Sequence, residues 1–293
     1  MASEPARSSN KVTVPALADL KARGERIVMV TAYDAPSARL ADQAGIDVVL
    51  VGDSAGTTVL GGSSTVPVTM DDMLLFTRQV VAGATRPLVV ADMPFGSYQV
   101  SETAAVENAI RFVKEAGAEA VKLEGAGRTL TRISGIVDAG IPVMGHIGLT
   151  PQSASMLGGY RAQGRTAAAA RRLVDEAIAL ERVGCFAVVL EAIPAVVAER
   201  ITEALKIPTI GIGAGAGCSG QVLVWHDLLG LTPEPTPRFV KKYANLAAVI
   251  ADALAAYARD VRSGAFPEER HTYAMPDAER ERLRGTEPFS TVR

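Results

Sequence analysis

The stretch "VVLVGDSAG", Val48 to Gly56, decides how the chain is read. Four consecutive apolar residues present side chains to both faces of a strand, which suits a parallel strand covered on both sides. Gly52 and Asp53 then mark where that strand leaves its sheet. The same punctuation recurs. Short β-rich runs stand at residues 27–32 (IVMVTA), 47–52 (DVVLVG), 88–91 (LVVA), 118–123 (AEAVKL), 142–145 (PVMG), 186–190 (FAVVL), 208–213 (PTIGIG) and 222–225 (VLVW). Amphipathic segments alternate with them. "SETAAVENAIRFVKEAG" opens on Ser101 and "TAAAARRLVDEAIALERVG" on Thr166, both N-cap residues, and each closes on a glycine. Eight strand-helix units with right-handed crossovers predict a closed (β/α)8 barrel, a TIM barrel, with a doubly wound open sheet as the competitor.

No linker divides the chain, so a single domain is expected over residues 1–265, with extra C-terminal helices drawn from "FVKKYANLAAVIADALAAYARDV". Residues 266–293 read as a charged tail of a composition compatible with disorder. A formal charge of −2 leaves no basic excess for nucleic acid or an anionic membrane surface. No apolar run reaches the roughly 18 residues of a membrane span, and the polar start "MASEPARSSN" lacks the apolar core of a signal peptide. Cys185 and Cys218 lie far apart without a CxxC partner, which argues against a disulfide framework or a thiolate zinc site. A cytoplasmic location is the expectation.

Five consecutive strand exits end in ionisable residues: Asp53, Asp92, the pair Lys122 and Glu124, His146, and Glu191. In a barrel those ends converge on one mouth, where active sites sit. Lys122 and Glu124 are two apart, so the strand period sends both to one face. A single such residue is ordinarily a helix cap or a solvated loop residue, and Lys122 with Glu124 could be a plain internal ion pair. Five in succession favour a site. Carboxylates gathered at Asp53, Asp92 and Glu124 repel one another by roughly 4 kcal/mol per pair at about 4 Å and an effective dielectric near 20, so a cation is called for. Oxygen ligands without thiolates favour a hard ion, Mg²⁺ above Ca²⁺ or zinc. Such an ion can chelate a 2-oxo acid and stabilise the enolate formed on loss of the neighbouring proton, with Glu191 as the base. "GAGCSG", Gly215 to Gly220, spells GxGxxG but follows a strand and introduces another, so it lacks the context of a dinucleotide site.

"VTAYDAPSARLADQAGIDVVLVGDSAG", "VVADMPFGSY", "VKLEG", "IPVMGHIGLTPQS", "VVLEAIP" and "IPTIGIGAG" together resemble the ketopantoate hydroxymethyltransferases over roughly Val12 to Ala265. The resemblance implies a (β/α)8 barrel that transfers a hydroxymethyl group from 5,10-methylenetetrahydrofolate, as co-substrate, to 3-methyl-2-oxobutanoate, giving 2-dehydropantoate on the way to pantothenate and coenzyme A. It implies Mg²⁺ on Asp53, Asp92 and Glu124, oxo-acid contacts from Asp53, Ser54, Asp92 and Lys122, and Glu191 as the proton acceptor. It also implies a homodecamer, and it leaves the role of His146 open. One departure stands out: similar proteins usually carry an aspartate where this chain has Ser219, which places details of the folate side of the mouth in question. Competing readings are another Mg²⁺-dependent lyase or mutase of pyruvate-like acids, a Schiff-base aldolase using Lys122, and a barrel kept only for binding.

Overall fold

A computed structural model describes residues 10–285. Two compact units meet in the sequence at residues 244 and 245. In the first, eight parallel strands close into a barrel in chain order: β1 Ile27–Thr31, β2 Val48–Val51, β3 Leu88–Asp92, β4 Ala120–Glu124, β5 Val143–Gly148, β6 Ala187–Glu191, β7 Thr209–Ile212 and β8 Gly220–Leu223. The ring shuts where Met29 of β1 pairs with Val222 of β8, so no strand edge is left open. The (β/α)8 expectation holds, and the open sheet falls with the closure.

Alternation along each strand separates two cores. Met29, Leu50, Val90, Met144, Val189, Ile210 and Val222 point inward and fill the barrel. Their neighbours Val49, Val89, Val121, Val188 and Leu190 point outward, beneath Leu74, Phe112, Ile133, Leu173 and Ile201 of the surrounding helices. This two-sided burial is why "VVLV" has no polar residue to spare.

The helices follow from their caps. After α1 Val14–Ala22 come α2 Ala35–Gln43, α3 Ala55–Thr58, α4 Met70–Gly83, α5 Glu102–Ala116, α6 Thr129–Asp138, α7 Ala167–Arg182, α8 Ala195–Ala204 and the short α9 Trp225–Leu228. Ser101 caps α5 by accepting from the Ala104 N–H at 3.0 Å, and Thr166 caps α7 by accepting from Ala169 at 3.2 Å. Gly117 closes α5 in the left-handed conformation, φ 76°, that glycine adopts without cost. One unit departs from the expected alternation: β7 runs into β8 through residues 213–219 with no helix. That segment, "GAGAGCS", carries no apolar stripe with which a helix could bury itself against the barrel.

The N-terminal end of the barrel is closed by α1. Leu17 is fully buried among Ile27, Leu88 and Ile210, and Lys21 Nζ donates to the carbonyls of Thr202, Leu205 and Ile207 at 3.1, 2.7 and 2.8 Å. Lys21 thereby satisfies orphan carbonyls at the end of α8. Ser219 lies at this same end. Its Oγ accepts from the Thr209 N–H at 3.2 Å, and its carbonyl accepts from the Ile27 N–H at 3.1 Å. The expectation that Ser219 bears on the mouth is therefore corrected, because the residue before β8 sits where strands begin. Both cysteines are free and buried, and burial pushes the Cys185 thiol up to about 12.

The second unit contains α10 Leu246–Ser263 and α11 Asp277–Arg284, with Phe266 ringed by Tyr257 and His271 at centroid distances of 5.8 and 5.2 Å. Of the charged tail, residues 277–284 are thus helical, while residues 286–293 fall outside the described part. Among the described residues no helix is long and apolar enough to cross a membrane.

Leu17→Ala removes the plug's largest buried side chain and is expected to lower stability by about 2–5 kcal/mol. The check is urea denaturation, with the midpoint falling while the slope stays that of the wild type. An unchanged midpoint would mean that α1 is not part of the cooperative core.

Candidate active site

The residues singled out at the strand exits share one cavity of about 470 Å³ at the C-terminal end of the barrel. Asp92 is the last residue of β3 and pairs in register with Lys122, Glu124 pairs with His146, and Glu191 ends β6 opposite Gly148. Each occupies an inward position of its strand. Asp53 follows the end of β2, and Ser54 begins the turn into α3, its Oγ 2.8 Å from the Tyr33 hydroxyl. Gly148 is held at φ +97° and packs on the Glu191 carbonyl so closely that a Cβ would collide with it, which fixes the approach of β5 to β6 beside the site.

Lys122 is the hub. Its Nζ lies 2.8 Å from Asp92 Oδ1, 4.0 Å from Glu124 Oε1 and 3.4 Å from His146 Nδ1. His146 continues the chain, with Nδ1 3.4 Å from Glu124 Oε1 and Nε2 3.3 Å from Glu191 Oε2. The Lys122–Asp92 and His146–Glu191 approaches are charge contacts lying off hydrogen-bond directions, since Asp92 Oδ1 and His146 Nε2 are buried without an aligned partner. The Asp53 N–H donates to Asp92 Oδ2 at 3.3 Å, which brings the first two exits together.

Two residues of the site carried no signal at the strand exits. Gln152, on the single turn Pro151–Ser153 after β5, donates through Nε2 to Asp53 Oδ2 at 3.0 Å and through its backbone N–H to Glu124 Oε2 at 3.0 Å. Tyr98 donates its hydroxyl to Gln152 Oε1 at 2.6 Å. Each lies in one of the stretches that carry the resemblance, "GLTPQS" and "MPFGSY", but a polar residue on a loop has no periodicity to reveal its partner.

Charge is unevenly spread. Burial, reinforced by the Asp92 and Glu124 charges, pushes the Asp53 carboxyl well above the usual range, against the pull of Lys122 and Gln152. Asp92 is also raised, since burial outweighs Lys122. Glu124 is buried too, yet His146 and Lys122 draw it below its ordinary value. Burial and Lys122 depress His146, but Glu124 and Glu191 overcome both and raise it to about 9. Burial depresses Lys122 as well, and the surrounding carboxylates reverse this, so it is raised. Lys122 thus offsets Asp92 and, more distantly, Glu124, His146 lies between Glu124 and Glu191, and Asp53 is held by the neutral Gln152 amide instead.

The donor chemistry at Asp53 and Asp92 suits a hard divalent cation: carboxylate oxygens, mutual repulsion, and a buried Asp92 Oδ1 with no donor aligned on it. Among the described residues no three His, Cys, Asp or Glu side chains form a ready ligand group. An ion held by Asp53 and Asp92 would take only two carboxylates from the chain at these positions and would need other ligands to complete its shell.

Residues 11–269 match the ketopantoate hydroxymethyltransferase family across the barrel that carries these exits. The chain belongs to that family. Relatives named 3-methyl-2-oxobutanoate hydroxymethyltransferase are 54% identical in Carboxydothermus hydrogenoformans, over 94% of this chain and 99% of the relative, and 58% identical in Moorella thermoacetica, over 90% and 98%. The one from Thermobifida fusca is 55% identical over 91% and 95%. As a member of the ketopantoate hydroxymethyltransferases, the protein is a transferase. Among solved structures, a phosphonopyruvate hydrolase superposes with a TM-score of 0.58 at 14% identity, covering 92% of this chain and 96% of that one. A 2,3-dimethylmalate lyase gives 0.54 at 16%, covering 93% and 94%. Likeness at such identity concerns the barrel alone.

Lys122→Met strands Asp92 and Glu124 in the interior, and the expected loss in chelator-containing buffer is about 3–5 kcal/mol, as for a broken buried ion pair. Adding Asp92→Asn in the same chain should restore more than half. Urea denaturation of both variants measures this, and a single variant as stable as the wild type would contradict the ion-pair account.

Proposed function

We propose that the protein transfers a hydroxymethyl group from 5,10-methylenetetrahydrofolate to 3-methyl-2-oxobutanoate, giving 2-dehydropantoate. The observation that carries this is the division of one cavity into two sides. Asp53, held by the neutral Gln152 amide, and Asp92, shared with Lys122, offer carboxylate oxygens on one side, while Glu191 lies across the cavity, beside His146. Family membership supports the same substrate.

Asp53 and Asp92 would hold Mg²⁺, with Glu124 directly or through water. Bound there, the ion would act as a Lewis acid on the 2-oxo group of the substrate and make the neighbouring C–H more acidic. Lys122, kept cationic by its carboxylates, offsets charge on the substrate carboxylate or enolate oxygen. Ser54, held by Tyr33, presents a hydroxyl to the oxo acid from the α3 side.

Glu191 takes the C3 proton. It is partly exposed, at 15%, where the other site carboxylates are sealed, so it can meet a bound substrate and return its proton to water. The electron pair left on C3 forms the new bond to the methylene carbon of the folate. One water supplies the hydroxyl as the methylene carbon parts from both folate nitrogens, and each nitrogen gains a proton, one from that water and one equivalent to the C3 proton that Glu191 passes to solvent. Orientation of two substrates in one cavity can contribute several kcal/mol, at best about 7–11.

A Schiff-base route through Lys122 needs a neutral amine, and the ion pair with Asp92 at 2.8 Å holds the ammonium form. Borohydride in the presence of substrate should leave the protein unlabelled. The homodecamer and cytoplasmic location implied by the family resemblance belong to this proposal, and sedimentation addresses the first.

With Mg²⁺ and no folate, the C3 proton of 3-methyl-2-oxobutanoate should exchange in D₂O, and Glu191→Gln should slow the exchange by about 100-fold or more. Proton NMR follows the loss of the C3 signal. Equal rates in the two proteins would remove Glu191 from the base role.

A further inference from the structure

We propose that Gln152, locked in place by Tyr98, is a positioning residue that sets Asp53 and Glu124 relative to each other for the oxo-acid chemistry; this rests on the reaction proposed above. Gln152 is buried, at 5% exposure, and its side-chain amide and backbone N–H are all engaged. Nε2 donates to the Met93 carbonyl at 2.9 Å and to Asp53 Oδ2 at 3.0 Å. Oε1 accepts from the Tyr98 hydroxyl at 2.6 Å and from Gln99 Nε2 at 3.3 Å. The backbone N–H donates to Glu124 Oε2 at 3.0 Å.

The orientation of this amide is fixed by chemistry. A carbonyl only accepts, so the nitrogen must face Met93, and the nitrogen must therefore also face Asp53. Tyr98 locks the other end, and its oxygen in turn accepts the Glu124 N–H at 3.2 Å. One neutral residue thus ties the exits of β2, β3 and β4 together, its side chain engaging one oxygen of Asp53 and its backbone N–H one oxygen of Glu124. A cationic donor in that place would cancel the negative charge that a divalent ion needs. An amide directs the carboxylates and leaves their charge intact.

Gln152→Leu keeps the backbone donor to Glu124 but loses the side-chain bonds, and Tyr98→Phe removes a single oxygen. For Gln152→Leu, kcat should fall and the half-saturating Mg²⁺ concentration rise by about 10–100-fold each, the usual scale for partners of metal-binding carboxylates. The KM for the folate should stay within about twofold, since it reflects binding that the amide does not touch. Tyr98→Phe should shift the same quantities in the same direction by a smaller factor. Mn²⁺ titration followed by electron paramagnetic resonance, without substrates, reads the ion affinity apart from turnover. If Gln152→Leu does not fold, Tyr98→Phe carries the test.

A purely structural role would lower the melting temperature while leaving kcat per folded molecule and Mn²⁺ affinity at wild-type values, and that result overturns the proposal. Absence of folate-dependent product in the wild type would instead refute the reaction. In that event crystal structures of wild type and variant decide the positioning: Asp53 displaced by more than about 0.5 Å sustains it, and an unmoved Asp53 overturns it.

Discussion

The structure depends on one electrostatic constraint: carboxylates buried at the mouth of the barrel must be held apart and compensated without being neutralised. Lys122 answers half of this demand, at 2.8 Å from Asp92 and 4.0 Å from Glu124. His146 answers another part by lying between Glu124 and Glu191. Asp53 is left over. Its strongly raised carboxyl records the remaining repulsion from Asp92 and Glu124 beneath the larger effect of burial. A folded chain carries such a residue at a cost in stability, and binding of a divalent cation would repay it.

The barrel makes this arrangement affordable to build. Closure places eight strand ends around one opening, and the strand period of two sends alternate residues inward. Asp92, Lys122, Glu124, His146 and Glu191 need only occupy the last inward positions of adjacent strands for their charged ends to meet. Below them Met29, Val90, Met144 and Val189 pack the interior, so water is excluded from beneath the site. Charges above a dry apolar layer interact more strongly than charges in solvent, which is why the shifts at Lys122 and His146 are so large.

Legibility in the sequence follows that period. The strands were visible because two-sided burial forces runs such as "VVLV" and "LVVA", and the exit residues were visible because each such run stops at a charge. The helices around Ser101 and Thr166 could be bounded because caps are local chemistry. Features set by distance across the barrel were not visible. Ser219 could be read as a mouth residue from its place after a strand, because nothing in "GAGAGCS" announces that the chain returns to the N-terminal end without a helix. Gln152 and Asp53 are 99 residues apart in sequence, and Tyr98 and Gln152 are 54 apart, so their bonds exist only once β2 through β5 stand in order around the barrel.

The carboxylates of the mouth also differ in the kind of group that restrains them. Asp53 is oriented by a neutral donor, the Gln152 amide, while Asp92 accepts the Asp53 N–H at Oδ2 and has the Lys122 ammonium 2.8 Å from Oδ1. On the side of Glu191 the restraint is the His146 imidazole, raised to about 9, whose Nε2 lies 3.3 Å from Glu191 Oε2. Around the barrel the exits run from Asp53 after β2 and Asp92 on β3, through Lys122 with Glu124 on β4 and His146 on β5, to Glu191 on β6, so that each cation stands between carboxylates.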